Sequence, residues 1–462
     1  MKKLIGTILG FVLLCGIMLF SASCEKKPPE PDGTELSSKS MTREGDTFYL
    51  TVPNSTKNIS FDGEFTVLEG AEIQISSSED FSSTLNIFKV WLGEGNNNYY
   101  VAVKNGEAES RYKVVIRRRP LYTVSFETDG GGVILPQVIE EGKNLIEPEL
   151  VPAKIGYSFS GWNYDFSKPI ECDITVNAQY TVDEDMRDFE FVSDGQSCTV
   201  TGMRNITTKL VIPDKVTHIG ERAFYYCKKL TEIDIGDGVR EIGTSAFEGC
   251  INVTKLTIGE SVNEIGVRAF LNCHSLTEIT VPEGVSTIAE YAFMDCEALV
   301  RITLPESLTT LGGYVFKGCT ALPEITIPSG ITQINTEAFY KCRNLKKVNF
   351  PAGLISIEIS VFYECVMLED VTLPDGLRRI ETCAFEGCEG ITEIVLPDSV
   401  VWIGRGAFKD CSALKNVFFQ RTDWWFIWDT PIPSDILADP ESAAVALTDT
   451  YRSKNLQYYP QT

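Results

Sequence analysis

The sequence predicts a multidomain protein built mainly from β structure: small all-β modules followed by a solenoid with a parallel sheet on one face. Three observations carry that prediction. Phe recurs every 23 residues at 224, 247, 270, 293, 316, 339, 362, 385 and 408, and a fixed period of this length is the mark of stacked coils. Cys follows each of these Phe residues by three positions, so most of the cysteines obey the repeat and not a disulfide framework. Upstream of the repeat, apolar and polar residues alternate in short runs separated by turn-forming residues, as in half-buried strands.

Composition narrows the function classes. The 64 acidic residues outnumber 41 basic ones, for a formal charge of −23. A nucleic-acid partner is therefore disfavoured, because duplex binders carry a basic footprint. The two histidines, His218 and His274, are too few for a His-rich metal site or several His bases.

Residues 1–23 read as a signal peptide. Lys2 and Lys3 open it, Leu4 to Phe20 are apolar, and Ser21-Ala22-Ser23 precede Cys24, the order of an export signal. The apolar stretch is at the short limit for a spanning helix. The segment resembles a bacterial lipoprotein signal, which implies lipidation of Cys24 and anchoring to the outer membrane. Ser21 departs from the more usual Leu and is similar to relaxed spirochaete forms. Residues 24–40 are polar and Pro-rich and read as a flexible tether. No later segment is apolar enough to span, so contact with a membrane is expected through the lipid alone.

Residues 41–119 contain the runs FYLTV (48–52), AEIQI (71–75), YYVAV (99–103) and YKVVI (112–116), which predict a β-sandwich. The end of this segment resembles the cadherin-like β-sandwich domains of bacterial surface proteins. Arg117, Arg118 and Arg119 are either a basic binding patch or, the favoured reading, charges on a solvated edge strand. Residues 120–182 contain TVSFETDGGG (123–132), Glu141-Gly142, GYSFSGW (156–162) and DITVNAQY (173–180). These resemble the Listeria–Bacteroides repeat, which implies a small β-grasp-like module. Trp162 is expected to pack in its core. Residues 183–200 read as a linker.

Residues 201–419 are the solenoid, with 201–223 as a degenerate first coil. Counting from each Phe, the other apolar columns fall at +3, +6, +9, +11, +15 and +18, shown by Cys273, Leu276, Ile279, Val281, Val285 and Ile288 after Phe270. Coils of this kind bury themselves only by stacking. The +9/+11 pair predicts a short strand per coil. The Ala-Phe-x-x-Cys segment predicts a short helical or irregular stretch. The pattern L-x-x-I-x-I-P, V-x-x-I-G, A-F-x-x-C resembles BspA-type leucine-rich repeats of treponemes and Bacteroidales, which implies a curved solenoid that attaches to host matrix or to other bacteria.

The Cys column reads as a buried ladder of small thiols, since parallel in-register Cβ vectors suit disulfides poorly. The outward +8 column is Glu232, Lys255, Glu278, Arg301, Glu324, Lys347, Asp370, Glu393 and Asn416. Its alternating sign both stabilises an in-register sheet and offers a polar docking face. Residues 420–462 form a C-terminal cap and tail, and its end, Ala443 to Gln461, resembles the tails of treponemal members. Its cluster Trp424, Trp425, Phe426 and Trp428 is a cap over the open core or an exposed aromatic binding patch. We find no nucleophile, metal or phosphate motif, so no enzymatic activity, metal or cofactor is expected. The expected function is non-enzymatic protein binding at the cell surface, with host matrix or bacterial surface proteins as partners. The alternative is a periplasm-facing, envelope-organising lipoprotein.

Overall fold

A computed structural model describes residues 37–61, 64–66, 72–83, 85, 90–93, 95–205, 207–423, 425–427 and 430–458. The signal peptide, Cys24 and most of the tether lie outside the described residues, as do Trp424 and Trp428. Two compact units are present. One comprises the chain up to Glu127 with Ile134–Val151 and Trp162–Ala178; the other comprises Thr128–Val133, Pro152–Gly161 and Gln179 onward.

In the first unit, a five-stranded sheet runs Thr42–Glu44, Thr47–Val52, Ala108–Arg118, Gly95–Asn105 and Glu72–Ser76 in spatial order. The four predicted apolar runs lie on its strands, and Val101, Val103, Val114 and Ile116 are fully buried at alternate positions, as the pleat requires. Phe48, Phe61, Tyr99 and Tyr112 supply the aromatic core. The arginine run is neither a free patch nor an idle edge. Arg117 pairs with Glu141 at 2.6 Å and Arg119 with Glu140 at 3.6 Å, while Glu140 also accepts the Asn54 N–H at 2.7 Å. These contacts tie the sandwich to the first strands of the next module.

That module is a sheet in the order Gln137–Glu140, Leu121–Glu127, Ile174–Val182, Tyr157–Trp162, its last two strands continuing into the second unit. The central pair is parallel, as a β-grasp requires. Trp162 stands edge-on to Phe126 at 5.4 Å, so it is core packing.

The second unit is the solenoid, and it begins earlier than the sequence suggests. Residues 183–200 are not a linker. Strands Phe189–Ser193 and Cys198–Met203 form an antiparallel hairpin whose second strand pairs with His218–Ile219 of the first coil. Met186, Phe189, Cys198 and Val200 are buried there, covering the end of the core. The seven inward columns are buried as predicted, each residue from Phe270 to Ile288 named above being at most 3% exposed.

Each coil carries two strands, not one. The expected +8 to +11 strand is present, and a second parallel ladder runs through +17 and +18, from His218–Ile219 through Glu241–Ile242 to Thr310–Leu311 and again from Gln333–Ile334 to Trp402–Ile403. The Ala-Phe-x-x-Cys segments form no helix. They are turns in which the residues two before and two after each Phe have left-handed φ, between 52° and 75° in all nine coils. Only Gly249, Gly318, Gly387 and Gly406 are glycine among them, although other residues are strained by this conformation.

Hydrogen bonding between coils holds that strain. The N–H groups at −2, 0 and +2 of one coil donate to carbonyls at −3, −1 and +1 of the next. Thus Arg268 donates to Glu290 O at 3.0 Å, Phe270 to Ala292 O at 2.9 Å and Asn272 to Met294 O at 2.9 Å. Every such bond points toward the C-terminus. Behind this ribbon the nine Phe rings stack with centroids 5.2 to 5.9 Å apart. The Cys column is more than small filler: from Cys250 to Cys411 each Sγ donates to the Phe carbonyl of the preceding coil, at 3.1 to 3.5 Å. All twelve described cysteines are free thiols.

The C-terminal segment closes the core. Leu456–Tyr458 pairs antiparallel with both Trp402–Ile403 and Trp425–Ile427. The short helices Ser434–Ala438 and Pro440–Val445 bury Leu437, Ala443 and Ala444. Among the described residues no helix is long and apolar enough to cross a membrane.

Candidate functional site

The strand that places the +8 column exists because +9 and +11 must be buried, which leaves +8 and +10 pointing outward. Glu232, Lys255, Glu278, Arg301, Glu324, Lys347, Asp370 and Glu393 therefore share one face, with Asn416 after them. In-register pairing sets Glu232 beside Lys255, Glu278 beside Arg301, Glu324 beside Lys347 and Lys347 beside Asp370. Opposite charges pair closely at Glu278–Arg301, 2.5 Å, and Lys347–Asp370, 2.6 Å, and more loosely at Lys209–Glu232, 3.7 Å. Asp370 accepting from Lys347 raises that ammonium above its ordinary pKa.

The face is not one continuous sheet. It divides into Lys209 to Thr257, Glu278 to Thr303, Glu324 to Val371 and Glu393 to Phe419. In joined coils the carbonyl just before the strand accepts from the next coil, as Thr231 O does from Thr254 N at 2.9 Å. Pro323 has no N–H to offer Val300, which accounts for the second break. The third falls where Asp370 meets Glu393, like charges in successive coils. The +10 column carries Thr257, Thr280, Thr303 and Thr326 and then turns apolar: Val395 and Phe418 are register partners, 46% and 41% exposed.

The aromatic cluster is corrected. Trp425 is 2% exposed, edge-on to Phe419 at 5.5 Å, with its indole N–H donating to Arg421 O at 3.0 Å. It seals the core and offers no ring to a ligand, because the chain end folds back over it. The histidines sit apart: His218 Nδ1 is 2.8 Å from Thr217 Oγ1 and His274 Nδ1 is 3.0 Å from Asp295 O.

Two further columns were passed over. Asp214, Asp237, Glu283 and Glu306 at the turn after the strand each accept the N–H of the equivalent residue one coil on, at 3.0 to 3.4 Å. Beside the Phe ribbon, Tyr291 stacks on Tyr314 at 4.6 Å and Tyr340 on Tyr363 at 4.7 Å, with Lys317 4.4 Å above the Tyr340 ring. The 23-residue period holds the signal for both, had polar and aromatic columns been aligned as the apolar ones were.

The comparisons with known proteins agree with this geometry. A family model for the BspA type leucine rich repeat region matches residues 203–323 and 309–423, in six copies. A model for the Listeria–Bacteroides repeat domain matches residues 122–187. No curated protein matches the chain. Among solved structures the chain is similar to a leucine-rich repeat protein from Bacteroides ovatus, 29% identical over 51% of this chain and 70% of that one, TM-score 0.42. It is similar to the T. pallidum leucine rich repeat protein, 27% identical over 40% and 89%, TM-score 0.38. It is also similar to the pneumococcal vaccine antigen PcpA, 20% identical over 52% and 81%, TM-score 0.33. The chain thus carries BspA-type leucine-rich repeats over residues 203–423 and, ahead of them, a Listeria–Bacteroides repeat domain.

Proposed function

We propose that this is an exported, lipid-anchored surface protein whose solenoid binds protein ligands and serves adhesion to host matrix or to other bacteria. The observation that carries the reading is the strand face: two outward columns of charges and hydroxyls, held in register on a rigid, fully buried core. Such a face binds by area and shape, with charge setting specificity. The lipid would join Cys24, and the small β-modules would stand between it and the solenoid.

The reading is tested on intact cells and with purified protein. Protease added to whole cells is expected to cleave the chain. Residues 24–462 are expected to bind fibronectin, fibrinogen, laminin or other bacterial cells saturably. A chain spared on intact cells and silent toward every one of these partners would falsify surface adhesion.

A further inference from the structure

The first break in the strand face differs from the other two. It has neither a proline nor a like-charge junction, and it opens into a slot. Strands Lys255–Thr257 and Glu278–Thr280 occupy equivalent places in successive coils, yet belong to separate sheets. Between them lies a cavity of about 430 Å³, within the range of ligand sites. Leu256, Ile258 and Ile279 reach it from the core, and Thr257 and Thr280 line its mouth. Thr254 O accepts no backbone N–H from the next coil, whereas Thr231 O and Thr277 O each accept two.

The charges are unbalanced at the same point. Alternation would pair Lys255 with Glu278, but Glu278 turns to Arg301. Lys209, Arg301 and Lys347 each have a carboxylate partner. Lys255, also lining the slot, has none among the described residues. An apolar floor, an unpaired strand carbonyl and one uncompensated ammonium together describe a binding place for an extended chain.

We propose that this slot takes an extended peptide segment of a protein partner, an acidic side chain pairing with Lys255 and its backbone bonding across the interrupted ladder. The inference rests on the reading of the solenoid as a protein-binding surface and names the chemistry of what it binds.

The probe is the labelled peptide acetyl-Thr-Val-Glu-Val-Thr-amide, titrated with the full chain and followed by fluorescence anisotropy. Saturable binding is expected, weakened about tenfold when the peptide Glu is replaced by Gln, the scale of one charged contact. Lys255→Glu is expected to reverse the preference toward a Lys-bearing peptide. Lys255→Met, uncharged and of similar length, is expected to bind the Glu and Gln peptides equally. Lys347→Glu, in the same column away from the slot, is expected to leave binding unchanged. Wild-type binding that is unsaturable to millimolar concentration, or unaffected at Lys255, overturns the slot. If the chain meanwhile binds matrix proteins or cells, the slot falls and the adhesion reading stands; if it binds neither, both fall.

Discussion

At the scale of single residues, the thiols carry the clearest consequences. Burial pushes the Cys250 thiol up to about 12 and holds Cys296, Cys319 and Cys342 well above their ordinary value. The folded pKa is raised above the unfolded value, so the protonated ladder contributes its full stability below pH 9. That contribution is lost as pH rises toward the folded values, by about 1.4 kcal/mol per pH unit for each thiol. Urea midpoints are therefore expected to be insensitive to the ladder at pH 7 to 8 and to fall steeply above pH 9, and less steeply in a Cys296→Ala, Cys342→Ala variant. In native protein an alkylating reagent is expected to modify Cys172, which is exposed, before Cys383, and the ladder only after unfolding. Peptide mass mapping reads the order. The left-handed positions give a second test. At Gly387 a Cβ would meet nothing closer than 3.5 Å, but φ is 74°, so Gly387→Ala is expected to cost about 1 kcal/mol in a thermal melt through backbone strain alone. The burial of these Phe and Cys columns was legible in the sequence because buried columns tolerate little variation. The left-handed φ values were not, since Arg, Tyr, Glu and Lys occupy positions where glycine would have announced the turn.

At the scale of the element, the strand face is a set of weak, additive pairings on a strong frame. Lys347 sits between Glu324 and Asp370 in register. Lys347→Glu would line up three carboxylates in consecutive coils. Because these side chains are half-exposed, the cost is expected to stay under about 1 kcal/mol and to shrink in high salt. Urea titrations at low and high ionic strength check both the size and the screening. The first strand of each coil was legible from the alternation at +8 to +11. The second was not, because the ladder at +17 and +18 is two residues wide in each coil and leaves one inward residue, too little for a period-two signal. The breaks in the face are equally local: Pro323 shows its effect only once its carbonyl partner, Val300, is known.

At the scale of the whole molecule, the solenoid depends on its two ends. A stack of coils leaves a full cross-section of core at each terminus. The hairpin of Phe189–Ser193 and Cys198–Met203 covers one end, and Trp425, Leu437, Ala443 and Leu456 cover the other. Ending the chain at Gln420 would bare Phe408, Val417 and Phe419, and such a protein is expected to bind ANS and to associate in sedimentation while keeping most of its β-type circular dichroism. A variant that stayed monomeric and silent toward ANS would count against the capping role. The tryptophan-rich stretch offered cap and patch as alternatives in the sequence, and Trp425 decides for the cap by its burial. The residues before the first coil were misread as a linker because a capping hairpin has no place in the repeat and so lacks its period.

The one-way hydrogen bonds of the turn ribbon give the solenoid an electrical direction. Peptide dipoles alternate and largely cancel in a sheet, but here three per coil point alike through eight interfaces, and aligned dipoles add as they do in a helix. The carbonyl pole lies at the first coil and the N–H pole at the last, the reverse of an α-helix. The side chains at the two ends match it. Arg222, Lys228 and Lys229 stand on the first coil, while on the last coil Asp410 is present and the Asn455 side chain accepts the Arg405 N–H at 2.7 Å. Adding or removing whole coils changes the separation of the poles and leaves their strength alone, so the length of such a chain can vary without a charge penalty at either end.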